Sequence, residues 1–207
     1  MILEKIKPSF GGKQFFLYFS GGIFFPILPD DIVILKLSSG QEIGDELYQK
    51  IVASSQSFLL KSYALRQLAI SPKTEKILRS KLKIKLQELL QKYHYPSAAP
   101  SLIDETIAYL QERHLINHQQ FIDYFLRRHP KKSRRHLQFL LQQQGVKYHL
   151  PQQSEVDTIK KILQRKNLTP SLLSQYSART RLMASLVRKG FSLTDVKNAI
   201  DEICATV

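Results

Sequence analysis

Only one cysteine, Cys204, occurs in the 207 residues. No internal disulfide can form, so a reducing compartment is expected and the cytoplasm fits. Cys204 stands at helical spacing from Ile200 and reads as a small apolar packing residue. Acidic side chains are scarce, with 17 Asp and Glu against 31 Lys and Arg. They are also scattered, which gives a paired-carboxylate site little support. There is no Gly-x-x-x-x-Gly-Lys phosphate loop, no Gly-x-Ser-x-Gly elbow, no Cys-x-x-Cys and no His-Glu-x-x-His. His114, His118, His129, His136 and His149 are therefore expected as surface or partly packed side chains. Long hydrophobic runs are missing too. The aromatic stretch Phe15 to Leu28 is broken by Ser20-Gly21-Gly22 and falls short of the roughly 20 residues a membrane helix needs. No small-residue cleavage site follows it. These absences oppose an enzyme, a metal protein and a membrane protein. No catalytic residue, cofactor or metal ligand is assigned.

What is abundant is positive charge. The net charge is +14, which calls for an anionic partner such as nucleic acid, a nucleoprotein or an acidic membrane surface. The charge is concentrated. Residues 1–60 are nearly neutral, whereas 61–92 and 127–136 are strongly basic, and residues 127–136 hold six basic and no acidic side chains.

The stretch Ser133 to Val146 recurs 45 residues later as Ala178 to Phe191. Arg134 falls on Arg179, Leu137 on Leu182, Leu141 on Leu186, Gly145 on Gly190 and Val146 on Phe191. A weaker copy starts at Thr74, with Leu78 and Leu82 in the leucine positions. Such spacing marks a chain that repeats a small helical unit. Repeated units bury apolar faces against their neighbours and favour binding surfaces over deep pockets.

The start of the chain reads differently. Phe15 to Phe19 and Ile23 to Ile27 flank Ser-Gly-Gly as two strands of a hairpin. Phe15, Phe16, Phe19, Phe24 and Phe25 could stack bases as a sheet platform does, but a face packed on a helix is the preferred reading. Asp30 or Asp31 can cap a short helix through Leu35, and Asp45 a second over 46–53. Ser54, Ser55, Gln56 and Ser57 then read as a linker. Beyond it, apolar residues recur at three and four, and Ser101, Ser154 and Ser192 each begin a Ser-x-x-Asp cap signal. Nine helices are expected, near 59–70, 74–92, 101–114, 118–128, 133–144, 148–152, 154–166, 170–189 and 193–204. The expected fold is mainly α. Three tandem three-helix, helix-turn-helix-like units form an elongated array (58–116, 117–152 and 153–207), preceded by a small β-rich extension over 1–57.

Several motifs resemble the RecX family, bacterial regulators of the RecA recombinase. Ala64-Leu65-Arg66-Gln67-Leu68 looks like the opening of that family's first unit, and Thr74 to Leu82 like its second helix. Leu115-Ile116-Asn117-His118-Gln119-Gln120-Phe121 is similar to its hydrophobic junction. Leu137-x-x-x-Leu141-x-x-x-Gly145-Val146 resembles the second unit, and Leu186-Val187-Arg188-Lys189-Gly190-Phe191-Ser192 the third. Two departures stand out. Ile70-Ser71-Pro72-Lys73 replaces arginines, and Arg113-His114 replaces a glycine-aromatic pair. The resemblance implies a non-enzymatic protein that binds the RecA filament on single-stranded DNA. It would limit filament extension and damp RecA's ATPase, strand exchange and coprotease activities. A cytoplasmic monomer is expected, with DNA touched directly or through RecA.

The candidate contact residues are cations. Arg127, Arg128, Lys131, Lys132, Arg134 and Arg135 surround Pro130 and the Ser133 helix start. Free amides at that start also attract anions, while the cations oppose the helix dipole. Clustering charge against local stability points to an external anion. Arg179, Arg181, Arg188 and Lys189 form a second set. Lys73, Lys76, Arg79, Lys81, Lys83 and Lys85 circle their helix as a weaker third. The competing reading is a stand-alone nucleic-acid binder that uses its helical units like helix-turn-helix modules.

Overall fold

The computed structural model describes residues 1–165 and 175–205. The first residues of the helix expected at 170–189 lie outside the described residues. The chain is mainly helical with a small N-terminal antiparallel sheet, and it divides into two compact units, Met1–Asn117 and His118–Val207.

In the first unit, β1 (Ile2–Pro8), β2 (Phe15–Phe19), β3 (Phe24–Ile27) and β4 (Gln41–Glu42) form one sheet in the order β3-β2-β1-β4. The β2–β3 hairpin turns at Gly21 and Gly22, whose φ values of +95° and +80° suit glycine. Strand alternation splits the aromatics. Leu17, Phe19, Phe25 and Ile27 are buried, and Tyr48 of the covering helix lies 6.1 Å from the Phe19 ring and 5.9 Å from that of Phe25. Phe16, Tyr18 and Phe24 take the opposite face.

A short helix α1 (Pro29–Ile34) is followed by α2 (Asp45–Ile70), α3 (Glu75–Tyr93) and α4 (Leu102–Glu112). Helix α2 runs unbroken through residues 54–57, so the linker expected there, and with it the boundary at 57/58, falls inside a helix. The polar side chains that suggested a linker hold the helix in place. Ser54 Oγ donates to Asp31 Oδ2 (2.5 Å), Ser55 Oγ to the Pro26 carbonyl (2.5 Å), and Gln56 Nε2 to the Ser97 carbonyl (2.7 Å). Tyr95 OH lies 2.6 Å from Ser55 Oγ. Since that hydroxyl's proton goes to Pro26, the phenol donates, and burial holds its pKa well above the ordinary value. Leu60, Ala64, Leu78, Leu82, Ile107 and Leu110 join the inner face of the sheet in one core.

Lys73 and His114 both serve helix ends. The Lys73 ammonium is buried and donates to the Gln67 carbonyl (2.5 Å), the Ser71 carbonyl (3.1 Å) and Ser71 Oγ (2.9 Å). It caps the end of α2 rather than offering a contact surface. His114 has φ +53°, and the Leu115 amide donates back to the Leu110 carbonyl (2.9 Å). A histidine thus takes the left-handed stop that glycine usually fills.

The second unit contains α5 (His118–Arg128), α6 (Arg134–Gln143), α7 (Val156–Gln164), α8 (Tyr176–Arg188) and α9 (Leu193–Ala205). The sequence repeat is a structural repeat. Gly145 and Gly190 have φ of +81° and +90°. The Val146 amide donates to Leu141 O (3.0 Å) and the Phe191 amide to Leu186 O (3.3 Å). The same four apolar residues are buried, so both copies stop in the same way. Ile159, Leu163, Leu186, Phe191, Val196 and Ile200 form a core, against which Cys204 packs. No helix forms near 148–152. Pro151 disfavours a helical Leu150, and the segment is held instead by Gln138 Oε1, which accepts from the Leu150 amide (3.2 Å), and by Arg134, which donates to the Pro151 carbonyl (2.5 Å). Among the described residues, no helix is long and apolar enough to cross a membrane, and no group of three or more His, Cys, Asp or Glu could hold a metal ion.

Candidate functional site

Two basic segments that lie far apart in sequence meet within the second unit. Pro130 cannot continue α5. The chain turns, with the Lys132 amide donating to the His129 carbonyl (3.2 Å), and Ser133 enters α6 in extended conformation. Its hydroxyl is buried and works twice. It accepts from the His136 amide (3.3 Å), capping α6, and donates to the Lys189 carbonyl at the end of α8 (2.6 Å). The approach is close enough that a Cβ at Gly190 would lie 2.6 Å from Ser133 Oγ. One hydroxyl against one glycine therefore seats the start of α6 on the end of α8.

The seating creates a cleft of about 380 Å³ lined by Lys131, Lys132, Ser133, His136, Arg188 and Lys189. A second cleft of about 290 Å³ shares His136, Arg188 and Lys189 and adds Arg135. Among the described residues, no carboxylate lines either. Lys131, Arg135, Arg188 and Lys189 are exposed. Lys132 is half-buried, with Nζ 3.1 Å from His136 Nε2. Five full positive charges with no carboxylate among the lining residues repel one another and favour a bound anion.

Four of the other five predicted cations are engaged. Arg127 donates to the Asp123 carbonyl (3.2 Å). Arg128 donates to Tyr124 OH (2.6 Å) and lies over the same ring. Arg134 is tied to Pro151, and Arg179 pairs with Asp201 (2.5 Å). Arg181 is exposed on α8 and lines neither cleft. The free amides expected at the start of α6 are partly spoken for. The Arg134 amide donates to Glu155 Oε1 (2.6 Å) and the His136 amide to Ser133. Anion attraction there rests on side chains more than on the helix end. His129 packs edge-on against Phe125 at 4.6 Å. Burial first, then Lys132, Arg128 and His136, holds its pKa below the ordinary imidazole value.

Ser133, His136 and Gly190 complete the site, although none is a lysine or an arginine. The sequence marked Ser133 as a helix start, His136 as a surface or partly packed histidine and Gly190 through the repeat and the Leu186–Ser192 motif, but gave no sign that they meet.

No protein-family model and no curated protein matches the sequence. Among solved structures, a regulatory protein RecX matches over 97% of this chain and 98% of its own, with a TM-score of 0.64 at 18% identity. The mainly helical chain with its small N-terminal sheet therefore has the fold of a RecX regulatory protein.

Proposed function

We propose that this chain is a RecX-family negative modulator of the RecA recombinase. It binds the RecA–single-stranded DNA filament and limits its extension, ATPase, strand exchange and coprotease activity. It acts as a non-enzymatic cytoplasmic monomer in DNA repair and the SOS response. The observation that carries the reading is the RecX fold, matched across nearly the whole chain. The sequence motifs quoted above support it, as does the cleft gathering Lys131, Lys132, Arg188 and Lys189. In this reading the helical segments beyond the sheet meet the filament as modules, the first beginning within α2 and running to 116 and the others spanning 117–152 and 153–207. The cleft cations meet phosphate or acidic RecA side chains. The test is RecA ATPase on single-stranded DNA. Inhibition is expected at amounts well below one per RecA protomer. Full activity at one per protomer overturns the proposal.

A second reading, a stand-alone nucleic-acid binder, draws on the same cleft, because uncompensated cations at a helix start suit phosphate from any source. It requires tight binding to DNA alone, falling steeply with salt. A weak, shallow slope alongside strong RecA inhibition decides for the first reading.

A further inference from the structure

The outer face of the N-terminal sheet is chemically unlike an ordinary solvated face. Directly opposed residues of antiparallel strands share a face. Lys5 is opposite Tyr18 and Tyr18 opposite Phe24, so a lysine and two rings form a row across three strands. Lys7 is opposite Phe16 in the next row. The rings touch one another. Tyr18 and Phe24 stack at 5.9 Å with 26° between their planes, and Phe16 meets Phe24 edge-on at 6.1 Å. Tyr93, at the end of α3, meets Phe24 edge-on at 5.6 Å. Lys7 Nζ lies 5.7 Å from the Tyr18 ring centre and Lys92 Nζ 5.2 Å from that of Tyr93. Phe16 and Tyr18 take no part in the core under the sheet, and Phe24, which is 36% exposed, touches it through Tyr93. The carboxylates of the sheet, Glu4 and Glu42, lie toward the β4 end of β1, with Glu42 opposite Ile2. The ladder of rings is thus bordered by ammonium groups.

A water-facing sheet surface normally carries polar residues. Apolar surface kept for a protein partner is normally poor in lysine. Rings alternating with lysines match a different ligand, whose flat apolar groups repeat along an anionic backbone. We propose that this face binds single-stranded nucleic acid, with bases stacking on Phe24 and Tyr18 while Lys5, Lys7 and Lys92 meet the phosphates. The inference deepens the DNA side of the function proposed above but does not need RecA, and its test contains none, so either can fail alone.

The chain has no tryptophan, so Phe24→Trp places a sole indole in the ladder while keeping a stacking ring. Oligothymidylate should quench the emission of F24W, and an abasic strand of the same length should not. In a second arm, Tyr18→Leu with Phe24→Leu should weaken oligothymidylate binding at least about fivefold and leave abasic binding unchanged, with helix content checked by circular dichroism. Lys5→Ala with Lys7→Ala, on exposed side chains, should reduce the salt slope of binding by about 1.4, at about 0.7 per lost phosphate contact. The proposal is overturned if the F24W emission ignores oligothymidylate or responds equally to the abasic strand. Wild-type affinity in the double leucine variant overturns it too. An indole that responds to added RecA but not to DNA overturns it in favour of a protein-docking face.

Discussion

Replacing Gly190 with alanine tests the contact that builds the cleft. Two penalties arise. A φ of +90° is left-handed, and a non-glycine residue there costs about 1–3 kcal/mol. The new Cβ would also stand 2.6 Å from Ser133 Oγ. It must push that hydroxyl off the Lys189 carbonyl, losing a buried hydrogen bond at about 1 kcal/mol. The expected total is about 2–4 kcal/mol. Ser133→Ala alone costs about 1–2 kcal/mol, as a lost cap and a lost bond to Lys189. In the double variant the hydroxyl is already gone, so the glycine replacement adds only its backbone penalty. The two changes should therefore be less than additive by about 1 kcal/mol. Urea denaturation of the four proteins, followed by circular dichroism, measures this cycle. Strict additivity would refute the reasoning. So would a Gly190→Ala cost no larger than that of Gly40→Ala, because Gly40 has a φ of +84° and a Cβ added there would meet nothing within 4 Å.

Four further outcomes are expected. His114→Gly should stabilise the protein by about 1 kcal/mol in thermal unfolding, because glycine adopts the left-handed stop without the Cβ penalty. Lys73→Met keeps the aliphatic stem but removes the ammonium that bonds Gln67 and Ser71, and should cost about 2 kcal/mol in urea. Replacing Lys131, Lys132, Arg188 and Lys189 together with alanine should lower the salt slope of single-strand binding by up to about 3, and an unchanged slope would clear the cleft of a role in DNA contact. The depressed pKa of His129 means that the unfolded chain takes up its proton first as pH falls. Stability is then full above about pH 6.5 and drops as the pH falls below it, and His129→Gln should flatten that part of a pH–stability curve.

Periodicity carried the sequence reading a long way. Leu141 and Leu186, Gly145 and Gly190, and Val146 and Phe191 occupy equivalent places because the signals that fix a helix face and its stop are local. Signals that depend on tertiary partners misled. Ser54, Ser55 and Gln56 have linker composition, yet their partners Asp31, Pro26 and Ser97 come from elsewhere in the chain. Of the three Ser-x-x-Asp signals, only Ser192 accepts from the amide three residues ahead (3.0 Å). Ser101 donates to the Glu105 carboxylate, and Ser154 donates to that of Asp195 while accepting from the amide two residues ahead, that of Val156 (3.4 Å). The ten candidate cations also divided on tertiary grounds. Arg134 and Arg179 were drawn into internal bonds, whereas Lys131 and Arg188 met across a cleft set by an uncharged serine and glycine. The aromatic start held two messages in one string, since alternate rings face opposite sides of a twisted ribbon of strands.

The continuity of α2 bears on how the N-terminal segment can be studied. One rod both roofs the strands, through Tyr48, Ile51 and Val52, and supplies Leu60 and Ala64 to the helices beyond. Excising residues 1–57 would sever that rod midway and bare the greasy side of what was left. A truncated protein that aggregates or loses activity would then report broken architecture, not the job of the missing piece. Point changes on the weathered side of the strands dissect that job without felling the beam.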